Sequence, residues 1–139
     1  MNAAATVAFP AIFVLLYAAH LASDYPLQTD HQAAHKAGSG RTGWAANVAH
    51  AVTHVTVSLV LLMVGEWVLD LHISAAAAVV GPLWIGISHS VIDRRWPVAR
   101  WMSWARQAGF AQHGGAAHVD QTFHVVLGLL PAALILAAL

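Results

Sequence analysis

The stretch WAANVAHAVTHVTVSLVLLMVG, Trp44 to Gly65, decides how this chain is read. It is a continuous apolar run without the alternation of a half-buried strand, and it is close to the roughly 20 residues a helix needs to cross a bilayer. A membrane also requires backbone groups to pair within the segment, which favours a helix. Yet the stretch carries His50 and His54, four residues apart and so on one face of that helix. An imidazole pair inside an apolar helix is costly unless other groups satisfy it. The remaining apolar segments must therefore be read together with this one.

Similar runs occupy 3–26, 74–92 and 121–139, beside 44–64 for the opening stretch. The chain is 59% hydrophobic and only 9% charged, whereas a soluble domain is usually about 25% charged. These features predict an all-α integral membrane four-helix bundle, with residues 1–139 forming a single transmembrane domain. Between the third and fourth spans, RRWPVARWMSWARQ (94–107) interleaves Trp, Val and Met with four arginines. That pattern predicts an amphipathic helix lying in the headgroup layer. There is no cysteine, which removes disulfides and thiolate metal sites. The formal charge is zero, which argues against nucleic acid as a partner and leaves the lipid bilayer. The opening residues MNAAATVAFP have no positive n-region, which argues against a cleaved signal peptide. Lys36, Arg41, Arg94, Arg95, Arg100 and Arg106 all fall in the first and third connections, whereas the second holds Glu66 and Asp70. The positive-inside rule then places both basic connections in the cytoplasm and both termini outside.

Each apolar segment carries polar residues four apart. The first has His20, Asp24 and Gln28; the second has His50 and His54; the third has His89 and Asp93; the fourth has Asp120 and His124. A helix turns once in 3.6 residues, so each pair stacks on one face, about 6 Å apart along the axis. In the topology above, all eight His and Asp residues lie one or two turns inside the cytoplasmic boundary. That agreement in depth is independent of the distribution of basic residues that sets the topology. The ordinary explanation is a set of interhelical hydrogen bonds or polar caps; the sharper one is a shared polar cluster in the bundle interior.

The sharper reading is a metal site. His20, Asp24, His50, His54, His89, Asp93, Asp120 and His124 form a nitrogen and oxygen donor set suited to zinc first, with manganese or iron as alternatives. Eight donors exceed the need of one ion, so one or two ions are both open, with spare groups orienting the ligands or acting as general base. Asp24 and Asp93 are the candidate catalytic carboxylates. Gln28 and Gln121 adjoin the pairs, and Lys36, Arg94 and Arg95 lie just outside them; these five are the candidate substrate-binding residues, suited to an anionic group. His31, His35, His113 and His118 fall in connections and read as solvated, and His72 lies on the opposite side.

The blocks HLASDYPLQTDHQAAHK (20–36), HAVTH (50–54), SHSVID (88–93) and VDQTFH (119–124) resemble, in order, the motifs of a small bacterial and phage membrane family, domain of unknown function 3307. The chain is also distantly similar to membrane-bound metal-dependent hydrolases. The family carries no established activity; the function read from the residues is a metal-assisted hydrolysis of a lipid or anionic small molecule at the cytoplasmic interface of a bacterial inner membrane, where the metal would make hydroxide available. One departure stands out: a lysine is expected soon after Ile92–Asp93, and Arg94 and Arg95 occupy those positions. Arginine keeps the charge but does not titrate as a base.

Three other functions fit the same residues at this level. A b-type haem protein could use axial pairs such as His54 with His124, although the stacked aspartates oppose it. A non-haem di-iron oxidase fits the His50 and His54 pair. A transporter or proton relay would use the same intramembrane groups, and a bundle this small would need to oligomerise for alternating access. Homo-oligomerisation stays open.

Overall fold

The computed structural model describes residues 3–139, with side chains from Val7 onward. Its helices are α1 (Ala3–Asp24), α2 (Asp30–His35), α3 (Gly40–Leu69), α4 (Ala75–Ile92) and α5 (Trp96–Trp104). A last, kinked helix, α6, runs over Ala108–Ala138. No strand occurs among the described residues.

Local chemistry sets the ends. Ser74 caps α4 by accepting the Ala77 N–H at 3.1 Å, satisfying one of the free donors of the first turn. Asp70 closes α3 in the left-handed region, at φ 51°. The polar connection after α1 contains a helix that the sequence reading missed. Thr29 accepts from the Gln32 N–H while Gln32 Oε1 accepts from the Thr29 N–H, a reciprocal capping box. The signal was there as Thr-x-x-Gln, but the segment is too short to show a hydrophobic period.

The fourth span begins at Ala108 rather than at residue 121. The Gly114–Gly115 pair bends the chain within it. His113 and Gly114 leave helical geometry, and Gly114 takes φ 86°, which glycine adopts without a Cβ penalty. Helix then resumes on the far side. Farther along, a π-helical turn over His124–Leu129 precedes Pro131. Proline has no N–H for the carbonyl four residues back, that of Leu127. The Trp84 indole N–H donates to that carbonyl at 3.0 Å, tying α4 to α6 where the backbone bond is lost.

The four long helices close into a ring. α1 packs on α3 and on the C-terminal half of α6, and α4 packs on the same two. Ile12, Leu16, Leu62, Ile85, Leu129 and Leu136 fill the interior at one end. Ile92, Val98 and Met102, backed by Val119 and Phe123, form a smaller apolar cluster at the other end, under α5. The polar residues lie between these two layers. The outside is apolar as well. Each long helix has an 18-residue window of mean hydropathy 1.6 to 1.8, and only 33% of that window is buried inside the bundle. Large side chains such as Val7, Met63 and Trp67 project outward. By length and composition these are four candidate membrane-spanning helices.

α5 lies across the open end. Val98 and Met102, one turn apart, are buried beneath it, while Trp96, Trp101 and Trp104 are exposed. Arginines in left-handed conformation flank it, Arg95 at φ 63° and Arg106 at φ 55°. Such a backbone is uncommon outside glycine and costs on the order of 1–3 kcal/mol.

Candidate metal centre

The four helices deliver their polar pairs to one place. His20, His50, His54, His89, Asp93 and His124 are each at most 3% exposed. The Asp24 side chain is 6% exposed and that of Asp120 27%. Imidazole rings stack directly on one another: the centroids of His54 and His89 are 3.5 Å apart, and those of His89 and His124 are 4.0 Å apart. All eight residues singled out by their spacing converge, because spacing of four on each helix and a common depth leave little else once the ring closes.

Asp24 anchors the cluster. Its Oδ1 lies 3.1 Å from both His50 Nε2 and His54 Nε2 and 3.7 Å from His89 Nε2. Its Oδ2 accepts from Gln121 Nε2 at 3.1 Å. His20 Nε2 donates to Gln121 Oε1 at 3.0 Å and stands 3.3 Å from Asp24 Oδ2. At the other pole, Asp93 Oδ2 lies 3.3 Å from His89 Nε2, and Asp93 Oδ1 lies 3.5 Å from His124 Nε2. His124 Nε2 is also 3.6 Å from Asp120 Oδ2.

Two observations test whether these groups suit a cation. First, His50 Nε2 is oversubscribed. Gln28 Nε2 lies at 2.9 Å, Lys36 Nζ at 3.1 Å, Asp24 Oδ1 at 3.1 Å and His54 Nε2 at 3.3 Å. One ring nitrogen is either a single donor or a single acceptor; it cannot donate to Asp24 and accept from Gln28 and Lys36 together. Second, His89 Nε2, His124 Nε2 and Asp93 Oδ2 are buried without any hydrogen-bond partner despite their close approach. Buried polar atoms are nearly always paired. Nitrogen and carboxylate donors that crowd one volume without pairing are what a divalent ion satisfies.

Two donor sets meet a spacing that fits an ion. Asp24, His50, His54 and His89 form the first; His89, Asp93 and His124 form the second, and the donor atoms of each lie within 4.8 Å of one another. His20 and Asp120 belong to neither. His20 instead holds Gln121, which holds Asp24. A third group, Glu66 with Asp70 and His72, sits at the far end of the bundle with its last two members exposed, as acidic surface groups commonly are.

The remaining candidates divide. Gln28 and Gln121 contact the cluster directly. Lys36 is not outside it: Nζ lies 2.9 Å from Asp93 Oδ1. Arg94 has another job. It donates to the Lys36 carbonyl at 3.0 Å and the Gly38 carbonyl at 2.7 Å, and its guanidinium lies 4.5 Å from the centre of the Trp44 ring. Arg95 lines a cavity of about 900 Å³. Asp24, Asp93, Asp120, Gln28, Gln121 and Lys36 also line it, roofed by Val98 and Met102 of α5.

Several residues escaped the sequence reading. Arg106 lines the same cavity. Asn47 is fully buried, donates to the Ser90 carbonyl at 3.1 Å and accepts from the Ser90 hydroxyl, locking α3 to α4 beside the histidines. Its signal was position: it lies three residues before His50, on the same face. Arg106 gave no such signal, because its place depends on how α5 folds back.

A family model described as "Protein of unknown function (DUF3307)" matches residues 12–137. The chain belongs to this family. The match spans all eight clustered His and Asp residues, in agreement with the motif blocks read from the sequence. No curated protein and no solved structure matches the chain significantly.

Proposed function

We propose that this protein is a metal-dependent membrane hydrolase whose substrate is an anionic amphiphile, entering at the bundle end that carries the basic connections. The observation that carries the metal part is the set of unpaired donors in one buried volume, His89 Nε2, His124 Nε2 and Asp93 Oδ2, beside the oversubscribed His50. Asp24, His50, His54 and His89 would hold the ion. When bound, zinc, manganese or iron supplies Lewis acidity and acidifies a water molecule. Asp24 and Asp93 both line the cavity, as catalytic carboxylates must, although Asp24 belongs to the donor set and Asp93 is paired with Lys36. Gln28 and Gln121 orient polar groups at the floor. Arg95 and Arg106, on the cavity wall, have no acidic partner among the described residues and would receive the anionic head. The apolar roof suits the adjoining chain of a lipid.

The haem alternative fares worse on geometry. A porphyrin needs a flat slot between its axial imidazoles, and here the imidazoles pack on one another. Elemental analysis of the detergent-purified, untagged protein, with an absorption spectrum on the same sample, tests the reading. Bound zinc, manganese or iron without a Soret band is expected, and His54→Ala should lose it while the helical spectrum persists. A Soret band would transfer the protein to electron transfer. Failure to hold any metal, even after it is added back, would leave proton handling as the better account. Activity is then sought with phosphate-ester lipids.

A further inference from the structure

The two donor sets share His89, and both carboxylates approach its Nε2, Asp24 at 3.7 Å and Asp93 at 3.3 Å. A ring nitrogen has one lone pair and serves one ion. If His89 joins Asp24, His50 and His54, the first set has four protein donors, enough for one ion, and a water in a fifth position stays within the coordination zinc takes. The second pole then keeps Asp93, His124 and the nearby Asp120. It also already holds a cation. The Lys36 ammonium lies 2.9 Å from Asp93 Oδ1, with its side chain only 13% exposed; it is also 3.1 Å from His50 Nε2 of the first set, a contact that an ion on that nitrogen would replace. The Asp93 contact is built rather than incidental. Arg94 grips the carbonyls of Lys36 and Gly38. Gly43 lets the loop lie directly on α3: a Cβ at that position would fall 1.9 Å from the Gly38 oxygen.

Charge points the same way. A second divalent ion at Asp93 would set two positive charges beside the Lys36 ammonium, with Arg95 and Arg106 already on the same cavity wall, in a bundle with an apolar exterior where uncompensated charge is costly.

We propose that the centre is mononuclear, with the Lys36 ammonium standing at the Asp93 pole as a resident second cation. This rests on the metal-binding reading above and adds to it the number of ions and the role of Lys36. The ammonium pairs with Asp93, denies that pole to a second metal, and leaves a fixed positive charge on the cavity floor facing any anionic group. That makes Lys36 a positioning residue of the site, provided by a connection rather than by a spanning helix.

The test is zinc stoichiometry. Metal-stripped full-length protein in detergent is equilibrated with zinc chloride by dialysis, and bound zinc per chain is measured, with circular dichroism to confirm folding. The wild type should bind one equivalent. Lys36→Met should gain a second, weaker equivalent at Asp93 and His124, with Asp120, 3.6 Å from His124 Nε2, drawn in as a third donor. Lys36→Arg, which keeps the charge, should stay at one, and Lys36→Met combined with Asp93→Asn should return to one. Two equivalents in the wild type would overturn the proposal while sparing the metal reading, and that arm stands even if no variant folds. A folded Lys36→Met that still binds one would also overturn it. No zinc in the wild type would overturn both.

Discussion

Arg94 and Lys36 show how far a residue's chemistry depends on what it touches. Both are basic, both belong to the connections between the long helices, and both read from the sequence as anion receptors. Only Lys36 reaches the polar cluster. Arg94 spends its planar fork on two backbone carbonyls, a task its geometry suits and a lysine's does not. Arg94→Lys should therefore loosen the loop over 36–39 without melting the bundle. The expected loss is about 1–2 kcal/mol of local anchoring, after allowing for partial exposure. Limited trypsin digestion should cut the variant faster in that loop at unchanged helicity; equal cleavage rates would remove the anchoring role. At the same scale, Gln121→Ala removes the link between His20 and Asp24. It should weaken zinc binding by about tenfold, in the range that orienting partners of metal ligands command, and equilibrium dialysis reads it.

Elements turn these contacts into a site. α2 and its loop bring Lys36 in because Gly43 and Gly38 touch backbone to backbone, a contact no other residue allows. Gly43→Ala has nowhere to place its methyl and should cost about 1–3 kcal/mol, seen as a lower Tm of the detergent-solubilised protein. An unchanged Tm would mean that the loop can lift freely. α5 separates two surfaces: Val98 and Met102 roof the cavity, whereas Trp96, Trp101 and Trp104 border an apolar groove on its other side. The sequence reading of α5 as an interfacial helix predicts that a nitroxide at Trp104→Cys in lipid vesicles reports headgroup depth. Full exposure to a water-soluble relaxation agent would place α5 in water instead.

For the whole molecule, the testable quantity is orientation. The chain has no cysteine, so single cysteines report cleanly. Ser39→Cys and Arg100→Cys should react with an impermeant maleimide from one side of the membrane, and Asp70→Cys from the other. Labelling of Ser39→Cys and Asp70→Cys from the same side would break the four-span topology. The ring of α1, α3, α4 and α6 depends on that topology, since it requires the ends of α1 and α4 to meet the starts of α3 and α6 at one level.

The sequence by itself determined the four long apolar helices and which polar residues share a helix face. Long apolar runs admit little but spanning helices, and a spacing of four puts His20 with Asp24, His50 with His54, His89 with Asp93, and Asp120 with His124 on single faces whatever lies next to them. These are short-range properties, fixed by backbone geometry. Tertiary structure alone decided what each polar atom touches. It moved Lys36 into the cluster and left Arg94 holding the loop. It gave Gln121 to Asp24, made His89 common to two donor sets, and continued α6 back through Gly114 to Ala108. Those outcomes turn on ångström-scale distances between segments far apart in the chain, and no periodicity within a segment carries that information.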